Sequence, residues 1–237
     1  MSGHADIMSW PSRELRLRTI SALVLGPLAL LAVWAGGLVF VALIALCTVL
    51  LAAEWLGLTA QVMSVPGRVA MLAAGLPYLG CAAVALVWLR GQPDVGLRDT
   101  LFLIAVVWGS DIGAFAVGRL VGGPRMAPAI SPGKTWSGAV GGLVAAIAVG
   151  LVIAAWSGDI VGAGAAVVAL ALAIAAQCGD LLESAIKRAL GVKDSGGLIP
   201  GHGGVLDRLD GMLIAAPLAA VLAMAAGQNQ VVWSLWR

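Results

Sequence analysis

The sequence predicts an all-α integral membrane protein, a polytopic helical bundle of about seven transmembrane helices. Three observations predict it. Hydrophobic residues make up 61% of the 237 positions and charged residues 11%, whereas soluble domains average about 25% charged. Mean hydropathy is +1.01, and at least five apolar runs reach the length that crosses a bilayer, more than a soluble core accommodates. The alternating pattern of a membrane barrel is missing.

Three regions follow along the chain. Residues 1–19 form an N-terminal segment expected in the cytoplasm, residues 20–98 the N-terminal membrane helices, and residues 99–237 a catalytic membrane region with phosphate- and metal-binding loops. Spans are expected near 20–35, 37–53, 68–89, 99–120, 138–156, 162–186 and 209–226. The first is short, suited to a tilted helix or a re-entrant hairpin. Arg13, Arg16 and Arg18 precede it as they precede a signal peptide, but no small-residue cleavage site follows, so a retained span is expected. Pro27 and Pro77 fall inside spans, where neighbouring helices can satisfy the freed backbone groups. With the N-terminus in the cytoplasm, 11 of the 14 Lys and Arg residues lie on the cytoplasmic side, leaving Arg90, Arg98 and Arg237 opposite. That is a strong positive-inside bias.

Trp34, Trp55, Trp88, Trp136, Trp156, Trp233 and Trp236 lie near predicted span ends and read as interfacial anchors. Glu54 reads as an interfacial acid at the end of the second span, with no catalytic role. Cys47, Cys81 and Cys178 lie in apolar runs without CxxC spacing and read as small buried hydrophobes, not as zinc ligands or disulfides.

Polar groups are scarce, so their clustering marks chemistry. The stretch Gln177–Gly211 holds Asp180, Glu183, Asp194, Asp207 and Asp210 together with Lys187, Arg188, Lys193 and Arg208. Asp180, Glu183, Ser184 and Lys187 recur at i, i+3, i+4 and i+7, one face of a helix that Gly191 ends. A Gly-rich loop follows, with His202 among Gly201, Gly203 and Gly204, before Asp207 and Asp210 open the next apolar run. Carboxylates suit Mg²⁺, which keeps waters and binds substrate phosphates. Lysine and arginine suit the phosphates, and glycines let backbone N–H groups approach an anion. The combination points to metal-assisted chemistry on a phosphorylated substrate; the alternative is a solvated connector between two spans.

Two further features lie upstream. Asp111 falls inside the fourth span, where a charge costs about 2.5–3.5 kcal/mol and needs a partner or a wet cavity. Gly109, Gly113, Ala114 and Gly118 around it permit close helix packing. The run Ser131-Pro132-Gly133-Lys134-Thr135-Trp136 precedes the fifth span. It is not a P-loop, because Pro128 stands where that motif needs Gly. Ser131, Lys134, Thr135 and the N–H groups of a helix start can still hold phosphate; a plain loop with a helix cap is the alternative.

The run Ser184-x-x-Lys187-Arg188, Lys193-Asp194 and Pro200-x-His202-Gly203-Gly204-x-x-Asp207-Arg208-x-Asp210 resembles the hallmark of the phosphatidate cytidylyltransferases, or CDP-diacylglycerol synthases. The resemblance extends over Asp111 to Arg119 and Ser131 to Trp136, with Phe115 where many relatives carry Tyr and Ser137 where they carry Glu or Gln. It implies transfer of the cytidylyl group of CTP to phosphatidate, giving CDP-diacylglycerol and pyrophosphate, in phospholipid biosynthesis. It implies Asp180 and Asp207 as metal ligands, Asp111 and Asp210 as further ligands or their supports, and Lys187, Arg188 and Arg208 on phosphates. Ser131, Lys134, Thr135, Ser184, His202, Gly203 and Gly204 complete the expected substrate site. Mg²⁺ is the expected cofactor, with a second, monovalent cation left open. The expected partners are CTP, the lipid and the bilayer, not nucleic acid, with a homodimer left open and the inner membrane as location. A CTP-dependent lipid-alcohol kinase of related architecture and a polytopic transporter are the rival functions.

Overall fold

The computed structural model describes residues 13–158, 162–198 and 203–236. The readings of residues 1–12, of His202 and of Arg237 lie outside the described residues, as do the side chains of Arg13, Arg16 and Arg18. Seven helices are described: α1 (Arg13–Ala35), α2 (Gly37–Ala60), α3 (Val65–Arg90), α4 (Gly96–Val121), α5 (Trp136–Trp156), α6 (Ala163–Ala189) and α7 (Leu206–Ala226). Six of them, α2 to α7, are long and apolar enough to cross a membrane. The first is the exception: its apolar part, Leu23–Ala35, is shorter. The chain is a multi-pass membrane protein.

Consecutive helices run antiparallel: Gly118 near the end of α4 approaches Gly138 near the start of α5, and Gly179 in α6 approaches Asp210 near the start of α7. The C-termini of α2, α4 and α6 therefore share one end of the bundle with the N-termini of α3, α5 and α7. Among the described side chains, that end carries Arg68, Arg119, Arg125, Lys134, Lys187, Arg188, Lys193 and Arg208, and the other end Arg90 and Arg98. At the sparse end Arg90 is tied to the chain rather than to a substrate. Its guanidinium donates to Val33 O at 2.6 Å and Trp34 O at 3.1 Å, where α1 turns into α2.

Helices α4, α5, α6 and α7 surround the larger core, built from small and medium side chains such as Val106, Ala146, Leu172 and Ala216. The α4–α5 pair packs most extensively. Glycine permits this approach: a Cβ at Gly142 would lie 2.7 Å from Ser110 O, with Gln177 Nε2 only 2.9 Å away. A smaller core joins α2, α3 and α7 around Leu51, Trp55, Leu79 and Leu213.

Several expectations change. The second helix does not stop at 53 but runs to Ala60, so Glu54 lies inside it and is buried. Trp55 and Trp233 are not interfacial anchors. Trp55 is buried and donates its indole N–H to Met71 O at 3.0 Å, and Trp233 stacks on Phe102 with ring centroids 4.6 Å apart. Trp34, Trp136 and Trp156 are exposed near helix ends, as anchors are. The three cysteines are free, but Cys81 and Cys178 face outward instead of inward. The segment before α5 is not a plain loop. Strands β1 (Arg125–Ala127) and β2 (Ser131–Thr135) form a small antiparallel hairpin, with Arg125 opposite Thr135 and Ala127 opposite Ser131.

Candidate active site

At the crowded end, Arg119, Lys134, Lys187 and Arg208 converge with Asp111, Asp180, Asp194, Asp207 and Asp210 on a cavity of about 830 Å³. Helices α4, α5, α6 and α7, the hairpin and the α6–α7 loop build it. Helix α4 contributes Trp108, Asp111, Phe115 and Arg119, and the hairpin Gly133, Lys134 and Thr135. The last turns of α6 contribute Gln177, Asp180 and Lys187. Asp194 from the following loop and Asp207, Arg208 and Asp210 from the start of α7 close it.

Helix α6 ends as its sequence dictates. Leu190 is the C-cap and Gly191 adopts φ +71°, a left-handed conformation that glycine adopts without a Cβ clash. The polar face then lies as its spacing requires. The Ser184 hydroxyl donates to Asp180 Oδ1 at 3.4 Å, and Lys187 Nζ pairs with Glu183 Oε2 at 2.6 Å, one turn back.

Ion pairs join separate elements at the cavity. Lys134 Nζ lies 2.5 Å from Asp180 Oδ2, joining the hairpin to α6. Lys187 Nζ lies 2.5 Å from Asp207 Oδ1, joining α6 to α7. The second pair is well buried, and Lys187 stands between two carboxylates there, so removal of the lysine would leave both carboxylates without their cation. Asp207 is fixed further by backbone donors: Gly204 N–H at 2.9 Å and Ser195 N–H at 3.1 Å, both to Oδ2. Asp111 and Asp210 lie within electrostatic range of Asp180 on the same cavity.

The hairpin is held from both sides. Thr135 caps α5, accepting from Gly138 N–H at 3.1 Å, and its hydroxyl lies 3.0 Å from Ser137 Oγ. Ser137 donates to Gly122 O, so this position fastens the end of α4 to the start of α5. Arg188 donates to Ile130 O at 3.2 Å and Val192 O at 3.1 Å, tying the hairpin tip to the α6–α7 loop.

The sequence-expected residues thus divide. Asp111, Lys134, Thr135, Asp180, Lys187, Asp207, Arg208 and Asp210 line one cavity. Ser184, Gly204 and Arg188 touch its framework, through Asp180, Asp207 and the hairpin respectively, and are not among its lining groups. Ser131 ends the pairing of β2, and Gly203, at φ +82°, makes the turn into α7. Three further residues contribute in ways the sequence reading did not assign. Gln177 spends both amide hydrogens on Ser110 Oγ, at 3.2 Å, and Ala139 O, at 3.1 Å, bracing α6 against α4 and α5. Arg119 lies at the rim, its guanidinium carbon 5.9 Å from the centroid of the Phe115 ring. Glu54 reaches the α6–α7 loop from α2, 141 residues away in sequence.

Hard oxygen donors on one cavity suit a small divalent cation. Among the described residues no group of three or more His, Cys, Asp or Glu side chains forms a closed metal cage. Mg²⁺ does not require one, since it is commonly held by one or two carboxylates, waters and substrate phosphates. Asp180 and Asp207 each face a lysine on this cavity, Lys134 and Lys187 respectively.

Comparison with known proteins bears on what this cavity is. Over 176 residues the chain is 45% identical to the phosphatidate cytidylyltransferase of Brucella suis biovar 1 (strain 1330), covering 74% of this chain and 62% of the relative. It is 42% identical over 131 residues to the protein of that name from Haemophilus influenzae, covering 53% of this chain and 46% of the relative. With the Pseudomonas aeruginosa protein of the same name it shares 40% over 165 residues, 68% of this chain and 60% of the relative. The matches thus span less than two thirds of the relatives' lengths. A sequence model described as the cytidylyltransferase family matches residues 67–225, from the start of α3 to the end of α7 and so across every cavity-lining group. The chain belongs to the cytidylyltransferase family.

Proposed function

We propose that the protein transfers the cytidylyl group of CTP to phosphatidate at this cavity, forming CDP-diacylglycerol and releasing pyrophosphate. One observation carries the reading: Lys134–Asp180 and Lys187–Asp207 face a single cavity at the cation-rich end of a membrane bundle. The attacking oxygen belongs to the phosphatidate phosphate, already anionic, so no strong general base is needed. It forms a bond to the α-phosphorus of CTP as the bond from that phosphorus to the bridging oxygen breaks, and pyrophosphate leaves with the electron pair. The obstacle is the meeting of two polyanions, so positioning and charge neutralisation dominate catalysis.

Lys134, Lys187 and Arg208 would hold phosphate oxygens. Ser131, Thr135, Ser184, Gly203, Gly204 and His202 would shape the substrate site around them, with Arg188 keeping the hairpin in register. Asp180 and Asp207 would hold Mg²⁺, with Asp111 and Asp210 as further ligands or supports; a monovalent cation beside it stays open. Bound there, Mg²⁺ would supply charge neutralisation and alignment of the phosphates. Trp108 and Phe115 line the cavity yet stay exposed on the membrane helix α4, which supports lateral entry of the lipid. The charge bias supports a cytoplasmic face for the cavity, with the protein in the inner membrane.

The test uses purified protein in detergent with Mg²⁺, CTP labelled at either the α- or the γ-phosphate, and either phosphatidate or, in a parallel reaction, a lipid alcohol such as diacylglycerol. The expected result is α-label in the lipid and γ-label in pyrophosphate. A γ-labelled lipid with CDP released would identify the related lipid kinase instead. Vesicle uptake without CTP turnover would identify a transporter.

A further inference from the structure

We infer that Glu54, on α2, is a positioning residue for the reaction: its buried carboxylate fixes the start of α7 and so sets Asp207 against Lys187. The inference rests on the proposed role of the Asp207 cavity.

The geometry is specific. Glu54 is only 5% exposed. Its Oε1 accepts from Val205 N–H at 2.9 Å, and its Oε2 accepts from Leu206 N–H at 2.8 Å and from the Ser195 hydroxyl at 3.2 Å. Val205 is the N-cap of α7, and no side chain of the helix's own N-cap satisfies these groups. The first N–H groups of a helix lack intrahelical partners and carry partial positive charge. A carboxylate from a distant helix does here what a local capping residue usually does.

The same contacts reach Asp207 by two routes. Ser195 donates its hydroxyl to Glu54 and its N–H to Asp207. Gly204 donates its N–H to Asp207, and the next two N–H groups go to Glu54. The loop therefore has one face on each carboxylate. Space is closed as well: a Cβ at Gly196 would lie 2.6 Å from Glu54 Oε1, and one at Gly204 2.7 Å from its Oε2. Two glycines thus let the backbone close on a carboxylate carried by a helix outside the cavity lining. Placement errors near 1 Å at a reacting centre cost about 10²-fold in rate, so the anchor acts on turnover without touching substrate.

The test compares wild type, E54Q, S195A, D207N and E54Q/D207N as the full chain in detergent, with labelled CTP, phosphatidate and Mg²⁺. E54Q keeps the size of the side chain but turns an amide donor toward N–H or O–H donors. Its turnover per folded molecule should fall about 10²-fold, and adding it to D207N should cause little further loss. In amide exchange, the Ser195 and Gly204 N–H groups held by Asp207 should exchange faster in E54Q, along with Val205 and Leu206. Near-normal E54Q turnover, or losses that multiply in the double mutant, would overturn the inference. If E54Q does not fold, S195A decides. That variant removes one donor to Glu54 and leaves the backbone intact, and unchanged turnover with unchanged exchange at Gly204 would overturn it. If wild type makes no labelled lipid, the cytidylyltransfer reading fails, and exchange at Ser195 and Gly204 alone then upholds or overturns the anchor.

Discussion

Lys134 shows what a single residue does at this site. It lies on the short strand β2, a quarter exposed, and its ammonium meets Asp180 on α6. Because the pair is partly solvated, its loss should cost under about 1 kcal/mol of stability. The same ammonium is one of few cations on the cavity wall, where the proposed reaction would place substrate phosphates. Lys134→Ala should keep the wild-type Tm within a few degrees and lower kcat/KM for CTP or phosphatidate by about 10²-fold, as loss of one preorganised charge does. Unchanged saturation by both substrates would remove Lys134 from the site. Its chemistry was readable in the sequence, from a lysine among Ser, Gly and Thr ahead of an apolar run. Its partner was not, because 46 positions separate Lys134 from Asp180 and helical spacing relates only residues within one helix.

Glu54 shows the same limit more sharply. An acid near the end of an apolar run looks like an interfacial residue until α2 and α7 are seen side by side. Its partners are the backbone N–H groups of Val205 and Leu206, which no side-chain pattern displays. Local spacing, in contrast, was reliable: Asp180, Ser184, Glu183 and Lys187 pair as their positions on one helix face require.

The elements that matter most are α4 and α5, because their close approach places Asp111 and Thr135 on the same cavity. Gly142 is the clearest contact point. An alanine there would press on Ser110 O and displace the Gln177 amide that braces α6. Gly142→Ala should therefore destabilise by about 1–3 kcal/mol. Gly57→Ala, with no atom within 4 Å of the added Cβ, should be neutral or slightly stabilising. Thermal unfolding in one detergent measures both, and equal Tm values for the two variants would contradict the packing account. Helix existence was legible throughout from hydropathy. The β1–β2 hairpin was not, because Pro128, Pro132 and Gly133 interrupt any strand pattern and its pairing covers only residues 125–135.

For the whole molecule, the antiparallel order of seven helices gathers most of the described cations, with Asp180, Asp194, Asp207 and Asp210, at one end. Charge counting along the sequence anticipated this segregation of cations, since spans that alternate in direction convert chain order into sidedness. The bundle's orientation in the membrane can be read with a single cysteine. Gly197 is the suitable site, because a Cβ there meets nothing, whereas one at Gly196 would strike Glu54. With the native cysteines replaced, Gly197→Cys should react with an impermeant reagent in inverted vesicles and stay unlabelled in intact cells. The reverse pattern would put the cavity on the side without CTP.

The central claim is that Asp180 and Asp207, 27 positions apart, act as one unit across the cavity. The direct measurement is a double-mutant cycle with Asp→Asn at each, Mg²⁺ titrated at every corner and the folded fraction measured alongside. Each single variant should lose about 10²–10³ in turnover, and the double variant should be hardly worse than either, as for groups that work together. Near-normal turnover in both single variants with an unchanged Mg²⁺ requirement, or losses that simply multiply, would contradict the claim.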